Sequence, residues 1–144
     1  LVKFVNGIMG LDLATFKYLT SEGDRRFESL GISFSIDEWW EFFFRDLNVP
    51  TPAPYVEGEN LVEYDRKERE LFKSALEDFP KLARIDDYYA DAEYSVYEVY
   101  ELLDECNRIV ARLRSPLSLA FVNGLISGCK EAIESGSGLY LAAD

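Results

Sequence analysis

The sequence contains no histidine and only two cysteines, and no part of it is apolar over the length of a membrane span. Without histidine, the chain cannot form a serine–histidine–carboxylate relay or a histidine-ligated zinc or haem site. A membrane-spanning helix needs about 20 apolar residues in succession. No apolar run of the kind found in a secretory signal follows Lys3. We therefore expect a cytoplasmic protein that does not enter membranes.

Basic residues are scarce as well, because 15 lysines and arginines stand against 27 aspartates and glutamates, which gives a net charge of −12. Such a chain repels both the phosphates of nucleic acids and an anionic membrane surface. Residues 86–105 alone hold eight acidic residues and no basic one. We call them the acidic tyrosine segment. We expect no nucleic-acid partner and no membrane partner.

The spacing of apolar residues predicts an α+β fold that is mainly helical, with four or five helices. Ser35 and Ser95 each stand three residues before a glutamate, a capping box that marks the start of a helix. Behind Ser35, a wide apolar face predicts an aromatic core helix over 36–47, with Phe42 off that face and exposed. Further helices are predicted after Asp12, where a short one ends before Gly23, and over 61–78, 96–113 and 117–134. The last two form a long antiparallel helical hairpin.

Two strands and one loop complete the prediction. Strands at 1–8 and 139–143 pair into a small terminal sheet, and Arg25 to Leu30 form a turn that closes at Gly31. Pro50, Pro52 and Pro54 predict a Pro-rich loop at about 48–60. Residues 1–144 are assigned to one globular domain. The predicted core comprises Trp39, Trp40, Phe43, Phe72, Leu76, Val99, Leu103, Val110, Val122 and Ile126.

The sequence assigns no catalytic residue, no metal ligand and no cofactor. Cys106 and Cys129 fall on the apolar faces of the two hairpin helices, which favours buried, unpaired thiols over a disulfide or a nucleophile. Asp86, Asp87 and Asp91 are not spaced as in a calcium-binding loop, which also requires a glycine at its turn.

The acidic tyrosine segment carries the candidate site. Tyrosine is enriched at binding hot spots, and surrounding carboxylates speed the encounter with a basic protein. The alternative is an acidic face that only solubilises the protein. The candidate partner-binding residues are Asp86, Asp87, Tyr88, Tyr89, Asp91, Glu93, Tyr97, Tyr100, Glu101 and Asp104.

The run Asp87-Tyr88-Tyr89, with its acidic surroundings, resembles the surface with which the immunity proteins of nuclease colicins cap a basic nuclease. The resemblance covers a handful of residues and is one of surface chemistry. It implies a protein that neutralises its partner by covering it.

These observations favour a non-enzymatic acidic binding protein that neutralises or regulates a basic protein partner, as an immunity protein or a nucleic-acid mimic does. Two alternatives remain. One is a carboxylate-based enzyme or small-ligand binder with a pocket between the aromatic helix and the Pro-rich loop. The other is a structural subunit of a larger assembly, with Phe42 and the Pro-rich loop at an interface. The oligomeric state is left open.

Overall fold

The computed structural model describes residues 10–144, whose strands form one antiparallel sheet in the order β2-β1-β4-β3. The strands are β1 (Leu11–Tyr18), β2 (Arg25–Phe34), β3 (Ala92–Tyr94) and β4 (Gly138–Ala143). The C-terminal strand was predicted within one residue of β4. The strand predicted at 1–8 lies outside the described residues, and β4 pairs with β1 and β3. The fold is α+β, with more helix than strand.

The helix predicted after Asp12 is wrong, because these residues form β1. This strand pairs with β2 on one side and β4 on the other, and its first six residues are buried. A strand buried on both faces lacks polar–apolar alternation, so its sequence carries no period of two. The predicted turn at 25–30 is part of β2. Gly31 has a φ of +68° and lies where the pairing of β1 with β2 shifts register, a bulge that suits glycine.

The helices begin where the capping residues predicted. They are α1 (Ile36–Trp40), α2 (Leu61–Ala75), α3 (Val96–Ile109) and α4 (Pro116–Ser135). Both capping boxes form, since the Glu38 amide lies 3.2 Å from Ser35 Oγ and the Glu98 amide 3.3 Å from Ser95 Oγ. Helices α3 and α4 contact each other, while their antiparallel arrangement stays a prediction. The loop at 48–60 contains no helix or strand.

The aromatic helix changes character at its middle. After α1, residues Glu41–Asp46 form a π-helical turn, in which the Leu47 amide donates to the Phe42 carbonyl five residues back. This wider turn shifts the later side chains around the axis relative to a regular helix. Phe42, predicted to be exposed, lies within this turn and is fully buried, whereas Trp40, predicted to be core, lies before the turn and is 42% exposed.

One cluster of buried apolar residues draws on both the helices and the sheet. Helix α4 lies close to the sheet through two glycines, because a Cβ on Gly128 would stand 2.8 Å from Leu13 and one on Gly124 2.5 Å from Phe34. Leu103, Val110 and Ile126 are only partly buried against this cluster. The predicted core residues that are confirmed as buried are Trp39, Phe43, Phe72, Leu76, Val99 and Val122.

Candidate functional site

Most carboxylates of the acidic tyrosine segment bind groups of the protein itself. Asp87 accepts a hydrogen bond from the Tyr89 amide at 2.9 Å. Glu105 is buried and accepts backbone N–H groups. The bases that pair with other acids of the segment come from outside it, and they are Arg25, Lys81, Arg84 and Arg108. The segment therefore presents much less free negative charge than its composition indicates.

Asp91 fastens the end of β4. Its Oδ2 accepts from the Tyr140 hydroxyl at 2.6 Å, and its Oδ1 accepts from the Ala143 amide at 2.7 Å. Burial, followed by this hydrogen bond, raises the pKa of Tyr140 to about 12. Glu93, two residues on, pairs with Arg25 at 2.5 Å. Both carboxylates have structural partners, although they were predicted to contact another protein.

Replacing Asp91 by alanine removes both hydrogen bonds to β4 at once. Since a hydrogen bond to a charged group contributes about 1.5–3 kcal/mol, and this site is exposed, we expect a loss of about 2 kcal/mol in the free energy of unfolding. Denaturant titration measures it. Glu93→Ala, which breaks an exposed ion pair, is the matched control and should cost about 1 kcal/mol or less. Equal losses would contradict the role given to Asp91.

Three more acids lie along α3 and pair with bases. Glu98 completes the Ser95 cap and pairs with Arg84. The hydrogen bond from Arg84, followed by that from the Ser95 amide, lowers the pKa of Glu98 to about 2. Glu101 lies 3.7 Å from Lys81. The Asp104 carboxylate lies 2.9 Å from an arginine one turn along the helix. Exposed pairs of this kind contribute little to stability, but they reduce the charge offered to a partner.

The tyrosines of the segment do not form one surface. Tyr88 is buried and donates to the Phe34 carbonyl at 2.9 Å, so it is part of the core. Tyr89 is 61% exposed and lies beside it. Tyr97 and Tyr100 are exposed on α3. Tyr97 and Tyr89 line two different cavities.

Two acids of the segment, Asp86 and Asp87, share a groove with residues of α2. A groove of about 420 Å³ lies between α1, α2 and the loop at 86–90. Ile36, Trp39, Arg69 and Tyr89 line it together with four carboxylates, and we call it the acidic groove. Its carboxylates are Asp65, Glu68, Asp86 and Asp87. Within residues 10–144, no basic side chain lies within ion-pair distance of any of the four.

These carboxylates repel one another. Burial, and then the charge of Asp87, raises the pKa of Asp86, and Arg69 only partly offsets this. Burial also raises the pKa of Glu68, with further increases from Asp65, Asp87 and Asp86. Like charges held together without a base cost folding free energy. The groove therefore carries negative charge that the fold itself does not neutralise.

The sequence analysis missed the contribution of α2, because the alternating charges at 65–70 are typical of a solvated helix face. Asp65 and Glu68 reach the site only because α2 packs near residues that lie about twenty positions later. No local pattern signals such a contact. The pocket predicted between the aromatic helix and the Pro-rich loop is divided between two places. Ile36 and Trp39 line the acidic groove, whereas Pro52 and Ala53 of the loop line a separate cavity against α2.

The two thiols are free and buried, as predicted. Burial raises the pKa of Cys129 to about 12 and that of Cys106 above its usual range, so neither forms a thiolate at neutral pH. In the described part of the chain, no three acidic or thiol side chains are placed to hold a metal ion. Nor is any helix within residues 10–144 long and apolar enough to cross a membrane.

Neither family models, nor curated proteins, nor solved structures give a match to this chain.

Proposed function

We propose that the protein binds a basic protein partner through the acidic groove and regulates or neutralises it. The observation that carries the proposal is the set of four carboxylates that line the groove, which hold no ion pair within the described residues and outnumber Arg69, the one basic residue in that lining. Burial, and then repulsion among these carboxylates, raises the pKa of Glu68 and Asp86. A lysine or arginine from a partner would relieve this repulsion. Charge of this kind also speeds encounter with a basic surface and rejects acidic proteins.

The groove offers an apolar contact beside its charge. Tyr89 is 61% exposed and Ile36 is 41% exposed, and both line it. A basic side chain has an apolar stem and a charged head, so it can pack on these residues while its head meets the carboxylates. Aromatic faces also attract cations. The same carboxylates repel phosphates, so the proposal includes no nucleic-acid partner. The proposal also places the protein in the cytoplasm.

Reversal of three groove charges tests the proposal. In Asp65→Lys/Glu68→Lys/Asp86→Lys the net charge changes from −12 to −6. We expect association with the basic partner to slow at least tenfold at low salt, because electrostatic steering is lost. Folding should be unchanged or stabilised by about 0.5 kcal/mol, since like-charge repulsion is removed. The partner is captured from host extract on the wild-type protein, and its association rate is then measured at several salt concentrations.

The matched control reverses three exposed acids elsewhere, in Glu22→Lys/Glu57→Lys/Glu131→Lys, and reaches the same net charge of −6. This variant should associate within threefold of wild type. Equal rates for the two variants would mean that only net charge matters and that the groove is not the site. A captured partner that associates independently of salt would also overturn the proposal.

Glu68 and Asp86, whose pKa values are raised, favour a second candidate function, acid–base chemistry on a small ligand. Carboxyl groups with raised pKa values in one groove are typical of such sites. Glu68→Gln and Asp86→Asn distinguish the two, because they keep the shape of the groove and remove only two of its charges. They would abolish catalysis but only moderately slow a protein association. The structural-subunit alternative loses one of its two interface elements, because Phe42 is buried, while Tyr55 and Val56 of the Pro-rich loop are exposed.

A further inference from the structure

The free edge of β3 adjoins two open cavities. In the sheet order β2-β1-β4-β3, no described strand pairs with the outer side of β3. The first cavity, of about 530 Å³, lies towards α2 and has Leu76, Ala83 and Ala92 in its lining. The second, of about 720 Å³, lies towards the end of β1 and the start of α3. Both cavities are lined by Arg84 and Glu93, so they meet at this edge.

Glu93 presents its backbone to that edge. The Tyr94 carbonyl faces β4, because it would stand 2.7 Å from a Cβ on Gly138. Neighbouring residues of a strand direct their carbonyls to opposite sides, and the N–H and C=O of one residue point the same way. The Glu93 carbonyl therefore points outward, where Arg84 Nη1 donates to it at 3.1 Å. The Glu93 amide also points outward.

Exposed apolar side chains border this edge. Tyr97 is 82% exposed and Tyr18 is 65% exposed, and together with Val96 they line the second cavity. Clusters of exposed aromatic residues around a cavity mark protein-binding surfaces. They also provide pockets for the alternate side chains of an added strand.

The charges around the edge select the occupant. Five carboxylates and three bases line the two cavities. The carboxylates are Glu77, Asp86, Asp91, Glu93 and Glu98, and the bases are Lys17, Lys73 and Arg84. Arg25 pairs with Glu93 and Arg84 with Glu98, and Asp91 is hydrogen bonded to β4. Within the described residues, Glu77 and Asp86 have no ion pair, and these two acids favour a basic strand. Asp86 lines the acidic groove as well, so that groove adjoins the first cavity.

We propose that an extended, basic segment of the partner adds to the outer edge of β3, pairing with Glu93 and placing apolar side chains in the two cavities. This inference rests on the proposed function and specifies how the partner binds. The segment's N–H replaces Arg84 Nη1 on the Glu93 carbonyl, and its C=O accepts from the Glu93 amide. Arg84 keeps its ion pair with Glu98, so the exchange costs little.

A proline at position 93 tests the edge. Proline lacks an N–H, and the Glu93 amide does not face β4, so Glu93→Pro removes the outward donor while pairing with β4 is retained. Glu93→Ala is the matched control, because it loses the same carboxylate and keeps the amide. The probe is a fluorescent eight-residue peptide that alternates lysine and valine, and its binding is measured by anisotropy.

Glu93→Ala loses a carboxylate of this edge and leaves Arg25 without its ion pair, so it is the reference for the proline variant. We expect the peptide to bind Glu93→Pro at least tenfold more weakly than it binds Glu93→Ala. A second peptide, N-methylated at alternate residues along one edge, should lose at least tenfold on wild type. That second result stands even if the proline variant fails to fold, which circular dichroism will reveal.

Equal binding to the proline and alanine variants, with equal binding of the methylated peptide, would overturn the edge inference, as would the absence of any binding to wild type. If the edge inference fails in this way but the peptide still binds Asp65→Lys/Glu68→Lys/Asp86→Lys more weakly than wild type, the proposed function stands. The partner association rates described above test that function separately.

Discussion

Replacing Phe42 by alanine should lower the free energy of unfolding by about 3–5 kcal/mol, the usual range for a fully buried aromatic ring. The ring is 0% exposed and lies 4.8 Å from that of Phe43 and 5.1 Å from that of Phe121, between centroids. Its removal leaves a cavity at the junction of the π-helical turn and α4. Urea denaturation at a constant m-value measures the effect.

Trp40→Ala is the matched control, because it removes a larger ring two residues away in the same helix. That ring is 42% exposed and meets Phe44 at a centroid distance of 5.8 Å. We expect a loss of about 1 kcal/mol, since a large part of this residue stays in contact with water in the folded state. A larger loss for Trp40→Ala than for Phe42→Ala would contradict the buried position given to Phe42 and the exposed position given to Trp40.

This contrast shows what a local pattern can and cannot reveal. The start of α1 is encoded within four residues, because Ser35 and Glu38 bond each other's backbone amides. The π-helical turn depends on how the helix packs on α4, which no spacing of apolar residues records. The sequence therefore predicts where this helix begins and predicts the wrong side chain inside it.

The strands and α4 also include features that a local pattern predicts and features that it does not. β4 and the ends of α4 are predicted within one residue, since Pro116 and Gly136 mark the start and the end of the helix in the sequence itself. β1 is missed because it pairs with strands that follow at very different distances along the chain, and because its first six residues are buried in succession. Pairing of that kind is decided by tertiary structure and overrides local preference.

The candidate site shows the strongest effect of long-range packing. The composition of residues 86–105 predicts a continuous acidic surface, but the fold brings bases from other segments to Glu93, Glu98 and Glu101. It also brings acids of α2 to Asp86 and Asp87. The proposed binding surface therefore lies at one end of the segment and includes Asp65 and Glu68 from outside it.

Glu105→Ala should cost about 2–4 kcal/mol, although glutamate is usually a surface residue. This side chain is 4% exposed and accepts from the amides of Lys81 at 3.0 Å and Leu82 at 2.9 Å. These amides begin the short 3₁₀-helix Leu82–Arg84, whose first N–H groups have no partner within the helix. Alanine leaves them buried and unbonded, at about 1–3 kcal/mol each. Glu101→Ala, one turn away on the exposed side, is the control and should cost under about 1 kcal/mol.

The pH dependence of Glu105→Gln separates its charge from its hydrogen bonds. Burial raises the pKa of Glu105 above its ordinary value of 4.5, while the two backbone amides act against this rise. The folded protein therefore takes up the proton more readily than the unfolded chain, so the contribution of Glu105 to stability grows as the pH falls from 7 towards 4.5. Glutamine keeps an acceptor oxygen and cannot titrate. The stability of wild type relative to Glu105→Gln should therefore rise over that interval, measured by denaturant titration at each pH. A difference that falls with acidification would mean that Glu105 is stabilised in its charged form and that its amide partners outweigh its burial.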